Sequence, residues 1–256
     1  MKNILLLYGN AGSKRRFEAF LSLAPGFFSE REYAFHLPSL AGFEGSSEHQ
    51  STEIWTAYLN DLYQSFEGRT LEPWFIFAQG FGASLILELA SRSWEFPSGY
   101  LLKPQKVILF APAGFPSNFF YKRLMYYNPM PELVSSASKR EIFRRFINKK
   151  LFKDPLNIHK ESFAFFYEDY RNCAAFKTNL KLTDYQWIMS VKRNAWHQSF
   201  IFWFGDLDYL VPKGLIPVWQ EHFPKSHFKR FENWDHFPMI SDTTKFATAL
   251  KEEILG

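Results

Sequence analysis

Two short segments near the end of the sequence carry side chains that together could move a proton. Asp206 and Asp208 follow the apolar run at residues 200–204, and His236 follows a β-rich run at residues 227–231. A neutral imidazole that is oriented by a carboxylate acts as a general base toward water or a hydroxyl group. The sequence therefore supplies a candidate base and a candidate carboxylate partner.

A third segment, at residues 75–90, has the pattern of an apolar strand that turns sharply into a helix. The turn reads Gln79, Gly80, Phe81, Gly82. A serine at the position of Gly80 would present its hydroxyl at the carboxyl end of the strand, ready to attack an acyl carbon. Glycine supplies only backbone there, although it accepts the positive φ of such a turn without steric cost.

The elements that must position these residues alternate between strands and helices. Short β-rich runs predict strands at residues 4–8, 33–37, 74–78, 107–110, 200–204 and 227–231. Helical spacing predicts helices at 14–23, 51–66, 82–92, 215–222 and 243–255. This order predicts an α/β fold, a mostly parallel twisted sheet with helices on both faces. Ligand-facing loops of such sheets follow the carboxyl ends of the strands, where the candidate residues lie.

The alternation stops at residue 114, and residues 114–192 are predicted to form a helical insertion that lies over one edge of the sheet, within a core of residues 1–113 and 193–256. Between residues 120 and 154 the chain has nine basic and three acidic side chains, so the predicted insertion is cationic. A helix predicted at 139–152 would place these apolar side chains on one face: Ile142, Phe143, Phe146, Ile147 and Leu151. Its basic face is either solvated or in contact with anionic lipid or an acidic ligand.

Taken together and in order, these segments resemble the α/β-hydrolase superfamily over nearly the whole chain. Residues 78–82 resemble the nucleophile elbow, G-x-S-x-G, with Gly80 in the place of serine. Residues 9–13 resemble the glycine-rich loop after the first strand, with Tyr8 in place of the usual histidine, and residues 36–42 loosely resemble the D-x-P-G-x-G loop. Residues 205–212 resemble the loop of the catalytic acid, and the helical insertion at 114–192 resembles the cap, or lid, of this group.

The resemblance implies a role for individual residues. Asp208 would be the acid that orients His236, which matches the terminal histidine of the family. The backbone N–H groups of Phe81 and Asn10 would form the oxyanion hole. The nucleophile position is Gly80, so the side chain that forms the covalent intermediate in this family is absent.

Each assignment has a structural alternative. His236 is otherwise a hydrogen-bonded structural histidine, and Asp208 otherwise caps the following helix. Asp206 is expected to form hydrogen bonds in its own turn. Ser13 and Ser84 are the nearby hydroxyls that could replace the missing nucleophile, but Ser84 should point along its helix, away from the site.

Two functions follow from these residues. The first is hydrolysis of a small, largely apolar, ester-like substrate by the histidine–aspartate pair and the oxyanion hole without a serine. The alternative is a catalytically inactive pseudo-hydrolase that binds a small apolar ligand. A third hypothesis is that a serine at position 80 has been replaced by glycine, in which case the parent protein is an ordinary serine hydrolase.

Composition narrows the class of protein further. A chain of 256 residues, 46% of them hydrophobic, is long enough for one sizeable domain. Its single cysteine, Cys173, excludes an internal disulfide, and no apolar run approaches the roughly 18 residues of a membrane span, so we expect a cytoplasmic protein. We expect no cofactor, no metal and no nucleic-acid partner, because the corresponding motifs are missing. The expected partner is a small apolar or acyl ligand, with weak membrane-surface contact through the basic cap helix.

Overall fold

A computed structural model describes residues 1–66, 74–115, 133, 140–154 and 160–256. Six strands form one sheet in the order β2-β1-β3-β4-β5-β6, and every neighbouring pair is parallel. The strands are β1 (Lys2–Leu7), β2 (Tyr33–His36), β3 (Trp74–Gln79), β4 (Pro104–Phe110), β5 (Ile201–Gly205) and β6 (His227–Phe231). The six carboxyl ends therefore meet at one edge of the sheet, as the sequence predicts.

Helices connect these strands. They are α1 (Glu18–Leu23), α2 (Ile54–Gln64), α3 (Phe81–Ser91), α4 (Glu141–Leu151), α5 (Lys160–Arg171), α6 (Phe176–Leu182), α7 (Tyr185–Ala195), α8 (Ile216–His222), α9 (Pro238–Ser241) and α10 (Thr243–Leu255). The helix predicted at residues 14–23 begins as a 3-10 turn, Lys14–Phe17, and continues as α1. Within the described residues, no helix combines the length and the hydropathy that crossing a bilayer requires.

The core of the protein lies around the two central strands. All six residues of β3 and five of the six residues of β1 are buried, because helices cover both faces of a parallel sheet. Helix α3 approaches β1 closely at Gly82, where an added Cβ atom would lie 2.7 Å from the Cβ atom of Leu7. Glycine at this position allows the first turn of α3 to rest on the carboxyl edge of the sheet.

Helices α4 to α7 lie between β4 and β5 in the chain, in what we call the helical segment (residues 114–192, with α7 extending to Ala195). The described residues of this segment include no strand. Ile142, on the predicted apolar face of α4, is 85% exposed. Among the described residues of α4, Asn148 and Leu151 are buried, and both lie in its C-terminal half. The side chains of Phe143, Phe146 and Ile147 lie outside the described part.

Candidate active site

The turn between β3 and α3 is centred on Gly80, which has φ 53° and ψ −116°. A residue with a side chain is strained in this conformation, whereas glycine adopts it freely. The N–H of Gly80 donates to the carbonyl of Phe110 at 3.0 Å, which ties the turn to the end of β4. Phe81 is the first residue of α3, so its N–H has no acceptor within the helix and can serve an anionic group at this edge.

Asp208 and His236 form a buried hydrogen-bonded pair. The Nδ1 atom of His236 lies 2.7 Å from Oδ2 of Asp208, and the two side chains are 9% and 0% exposed. The other carboxylate oxygen accepts the backbone N–H groups of Leu210 at 2.7 Å and Val211 at 2.8 Å. An ionised carboxylate only accepts hydrogen bonds, so Nδ1 carries the proton and the lone pair of the neutral ring is on Nε2. The arrangement suits a general base at Nε2.

The imidazole and the turn at Gly80 lie side by side. A Cβ atom added to Gly80 would lie 4.0 Å from Nε2 of His236 and 3.3 Å from Cα of Gly9. A hydroxyl one bond beyond that Cβ atom would come within hydrogen-bonding range of Nε2. The structure therefore brings Gly80, His236 and Asp208, the three residues that the sequence singles out, next to one another.

Gln79, directly before the turn, fixes the backbone of the histidine loop. Its side-chain Nε2 donates to the carbonyl of His236 at 2.6 Å, and the side chain is fully buried. The sequence pattern assigned no role to this residue. Its position next to Gly80, at the end of a strand that points to the site, is the signal that could have identified it.

Asp235 is a second residue that the pattern did not identify. One carboxylate oxygen accepts the N–H of Phe237 at 2.8 Å and the hydroxyl of Ser241 at 2.9 Å, and the other accepts the N–H of Lys153 at 2.8 Å. The pKa of Asp235 is raised above its ordinary value, because the effect of burial outweighs that of these hydrogen bonds, which act to lower it. The carboxylate thus fastens the end of α4 to the histidine loop.

The loop after β1 (residues 8–13, the first loop) borders the turn at Gly80. The N–H of Gly12 donates to the carbonyl of Gly9 at 3.0 Å, which makes the loop a tight turn. Asn10, the second predicted oxyanion donor, lies within this turn, next to the glycine that approaches Gly80. Both predicted donors therefore belong to segments that lie next to Gly80.

The two serines that were candidates for a substitute nucleophile are engaged elsewhere. The hydroxyl of Ser84 lies 3.2 Å from the carbonyl of Gly80 and 3.3 Å from that of Ala113, as expected for a serine inside a helix. The hydroxyl of Ser13 donates to Oδ2 of Asp169 in α5 at 2.5 Å. Both hydroxyls thus bind groups other than the imidazole.

Asp206 lies in the turn of residues 205–208, but its carboxylate makes hydrogen bonds outside that turn rather than within it as predicted. The Nε and Nη2 atoms of Arg230 donate to the two oxygens of the Asp206 carboxylate at 3.1 Å and 2.8 Å, in a bidentate ion pair at the protein surface. Arg230 belongs to β6, the strand next to β5, so its side chain reaches the carboxylate across the sheet. This pair lowers the pKa of Asp206.

Aromatic rings surround the candidate site. The ring of Phe81 stacks on Trp55 at 5.7 Å, and Trp55 stacks on Trp187 at 5.2 Å. On the other side, the centroid of the His236 imidazole lies 6.4 Å from that of the Phe110 ring and 4.8 Å from that of the Phe237 ring. The surroundings of Phe81 and His236 are therefore largely apolar.

Comparison with known proteins adds evidence about the fold. No protein-family model matches this chain, and no curated protein matches its sequence. Among solved structures, a bromoperoxidase from Bacillus anthracis is similar at a TM-score of 0.72 and 17% identity, covering 100% of this chain and 92% of that chain. An esterase from Exiguobacterium antarcticum is similar at a TM-score of 0.72 and 15% identity, covering 100% of this chain and 92% of that chain. A serine hydrolase from Cycloclasticus zankles is similar at a TM-score of 0.72 and 17% identity, covering 100% of this chain and 90% of that chain. With the parallel six-stranded sheet, these likenesses show that the chain has the α/β-hydrolase fold.

Proposed function

We propose that this protein hydrolyses a small, largely apolar, ester-like substrate without forming a covalent acyl-enzyme. The observation that carries the proposal is the placement of Nε2 of His236, 4.0 Å from a Cβ atom added to Gly80. In this proposal a water molecule takes the place that a serine hydroxyl would occupy, within hydrogen-bonding distance of the imidazole. The names of the similar solved structures, which include an esterase and a serine hydrolase, agree with this class of reaction.

The residues act in sequence on that water. Nε2 of His236 takes a proton as the water oxygen bonds to the acyl carbon, and Asp208 stabilises the imidazolium that forms. The tetrahedral oxyanion accepts hydrogen bonds from the N–H groups of Phe81 and Asn10. Collapse then breaks the bond to the leaving oxygen, which receives the proton from the imidazolium, so the products are an acid and an alcohol.

Useful catalysis remains without the nucleophile. General-base assistance contributes roughly 10² to 10⁴-fold and an oxyanion donor roughly 10² to 10³-fold. The predicted pseudo-hydrolase remains the competing function, and the missing hydroxyl at Gly80 is the observation in its favour.

The helical segment supports the proposal as a cap over this site. Phe152, just past the end of α4, packs its ring 5.4 Å from that of Phe237, and the N–H of Lys153 binds Asp235. These contacts place the segment against the histidine loop. The apolar rings around the site favour an apolar acyl or alcohol group on the substrate.

Two further parts of the proposal concern contact with a membrane surface and the cellular compartment. Helix α4 exposes Arg145, Lys149 and Lys150 together with Ile142, which supports weak contact with an anionic membrane surface. Cys173 is a buried free thiol, which supports a reducing compartment such as the cytoplasm.

The test uses nitrophenyl acetate, butyrate and octanoate with the wild-type protein and the His236→Ala, Gly80→Ser and Gly80→Ala variants. The wild type should turn over slowly, without a burst, without reacting with a fluorophosphonate, and with loss of activity in His236→Ala. Gly80→Ser should show a burst and react with the fluorophosphonate, whereas Gly80→Ala controls for the strain of an added Cβ atom. Activity only in Gly80→Ser would identify a pseudo-hydrolase, and full activity in His236→Ala would overturn the role of the imidazole.

A further inference from the structure

The first loop contains a residue in an unfavourable backbone conformation. Ala11 has φ 54°, in the left-handed region that glycine adopts and other residues avoid, and it is buried. Such a conformation persists only where the surrounding structure fixes it. The groups that fix this loop therefore determine the geometry of the neighbouring Asn10, whose N–H is a proposed oxyanion donor.

The side chain of Asn10 is held by three hydrogen bonds. Its Oδ1 atom accepts the N–H of Ala11 at 3.0 Å and Nδ2 of Asn179 at 3.1 Å. Its Nδ2 atom donates to the carbonyl of Phe176 at 2.9 Å. Two donors at one end and an acceptor at the other leave only one orientation of the amide compatible with these bonds. Both partners outside the loop belong to α6.

Asn179 is itself fixed from the core. It is 1% exposed, and its Oδ1 atom accepts the hydroxyl of Tyr58 at 2.9 Å. Burial raises the pKa of Tyr58, so the hydroxyl remains a donor at physiological pH. A buried chain of hydrogen bonds thus runs from α2 through α6 to the first loop.

We propose that Asn179 is a positioning residue of the active site. It holds the side chain of Asn10, and through it the turn at Ala11, so that the backbone N–H of Asn10 keeps the orientation that an oxyanion donor needs. The helical segment then supplies more than a cover, because it completes the geometry of the anion-binding side. This inference rests on the proposed function for its consequence in catalysis, but not for its consequence in loop structure.

A separate anchor makes the role of Asn179 specific. Asp169 in α5 accepts the hydroxyl of Ser13 at 2.5 Å and Nη2 of Arg15 at 2.7 Å. These bonds fasten the far end of the first loop and the turn after it to the helical segment. Removal of Asn179 leaves them in place, so the expected result is a loosened Asn10 within a segment that stays docked.

The test compares Asn179→Leu with Asn148→Leu. Asn148 is a matched control because it is also a buried asparagine of the helical segment whose Oδ1 accepts a tyrosine hydroxyl, that of Tyr167 at 2.5 Å. Amide hydrogen exchange of residues 10–12 should accelerate at least tenfold in Asn179→Leu and stay within twofold of wild type in Asn148→Leu. Tyr58→Phe, which keeps the bond between Asn179 and Asn10, is the milder variant should Asn179→Leu fold poorly, and it should give a smaller acceleration of the same amides.

Turnover gives a second reading. In the wild-type and the Gly80→Ser backgrounds, Asn179→Leu should lower kcat for nitrophenyl esters roughly 10- to 100-fold and change KM less than twofold, because a displaced donor is lost mainly in the transition state. Equal exchange in the Asn179 and Asn148 variants would overturn the proposal, as would faster exchange with unchanged kcat. Loss of His236 dependence in the wild type would instead count against the proposed function and leave the exchange result standing.

Discussion

The two sides of the candidate site are built from different parts of the molecule. On the side of the proposed base, Asp208 and His236 follow β5 and β6, and Gln79 at the end of β3 holds the histidine backbone. On the side of the proposed oxyanion hole, Asn10 follows β1, but its side chain is held by α6 of the helical segment. The side-chain partner of the proposed base therefore comes from a loop of the sheet, whereas one proposed oxyanion donor depends on a helix that lies between β4 and β5 in the chain.

Mutations in the sheet loops and in the helical segment should therefore affect the candidate site in different ways. A change in the sheet loops should remove the base directly, because the imidazole has its partner and its backbone anchor there. A change in the helical segment should act indirectly, through the first loop. The following measurements test that division, from the largest expected effect to the smallest.

Asp208→Asn should lower kcat/KM roughly 10² to 10⁴-fold. The amide oxygen can still accept the N–H groups of Leu210 and Val211, so the loop keeps its shape, but the amide nitrogen then faces Nδ1 of His236. That contact favours the tautomer with the proton on Nε2, which removes the base. Steady-state kinetics with nitrophenyl esters measure the effect, and Asp206→Asn, in the surface ion pair, is the control. Equal activities of the two variants would contradict the role of Asp208.

Labelling of Cys173 reports whether the helical segment stays docked. Burial raises the pKa of this thiol to about 12, so at pH 8 its thiolate fraction is about 10³-fold below that of an ordinary thiol. Reaction of the folded protein with an aromatic disulfide should be slower by at least that factor than after denaturation in urea. The rate should keep rising with pH beyond 9 rather than level off. Fast labelling at pH 8 would show that the segment undocks, which would weaken its role in holding the first loop.

Gln79→Met should lower kcat about tenfold and the free energy of unfolding by about 1–3 kcal/mol. The change leaves the buried carbonyl of His236 without its donor and allows the histidine loop to shift. Urea unfolding and ester kinetics measure the two effects. Gln198→Met is the control, because this glutamine accepts a hydrogen bond from Trp94 and lies in the connection before β5. A loss of stability with full activity would show that the bond is structural only.

Lys149→Gln should weaken binding to phosphatidylserine vesicles about fivefold, corresponding to about 1 kcal/mol for one charge near the surface. Sedimentation with vesicles measures the bound fraction, and the effect should disappear in high salt. Lys103→Gln is the control, because this exposed lysine precedes β4 at the opposite edge of the sheet. Equal loss in both variants would mean that net charge, and not helix α4, sets the binding.

The sequence predicts the sheet well because most of its strands are apolar runs that alternate with helical patterns. Gly80, Asp208 and His236 follow β3, β5 and β6, and the carboxyl ends of these parallel strands meet at one edge of the sheet. The roles of Gln79 and Asn179 could not be predicted in this way. Their hydrogen bonds join residues 157 and 169 positions apart, and no local pattern reports such a contact.

The hydrogen bonds of the Asp206 side chain differ from the expectation. Turn spacing predicts that its carboxylate bonds within its own turn, but Arg230 on the neighbouring strand pairs with the carboxylate instead. Here a tertiary contact overrides a local preference. The exposure of Ile142 is equally invisible to periodicity, which assigns residues to a helix face but does not show what that face meets.

The stacked rings next to the site have a practical consequence. Trp55 is only partly buried and lies face to face with both Phe81 and Trp187, within one ring of the proposed oxyanion donor. Indole emission changes with the polarity and packing of its surroundings, so a molecule that enters beside Phe81 should alter the fluorescence of this pair. The protein therefore carries its own optical reporter, and candidate ligands can be screened without a coloured product.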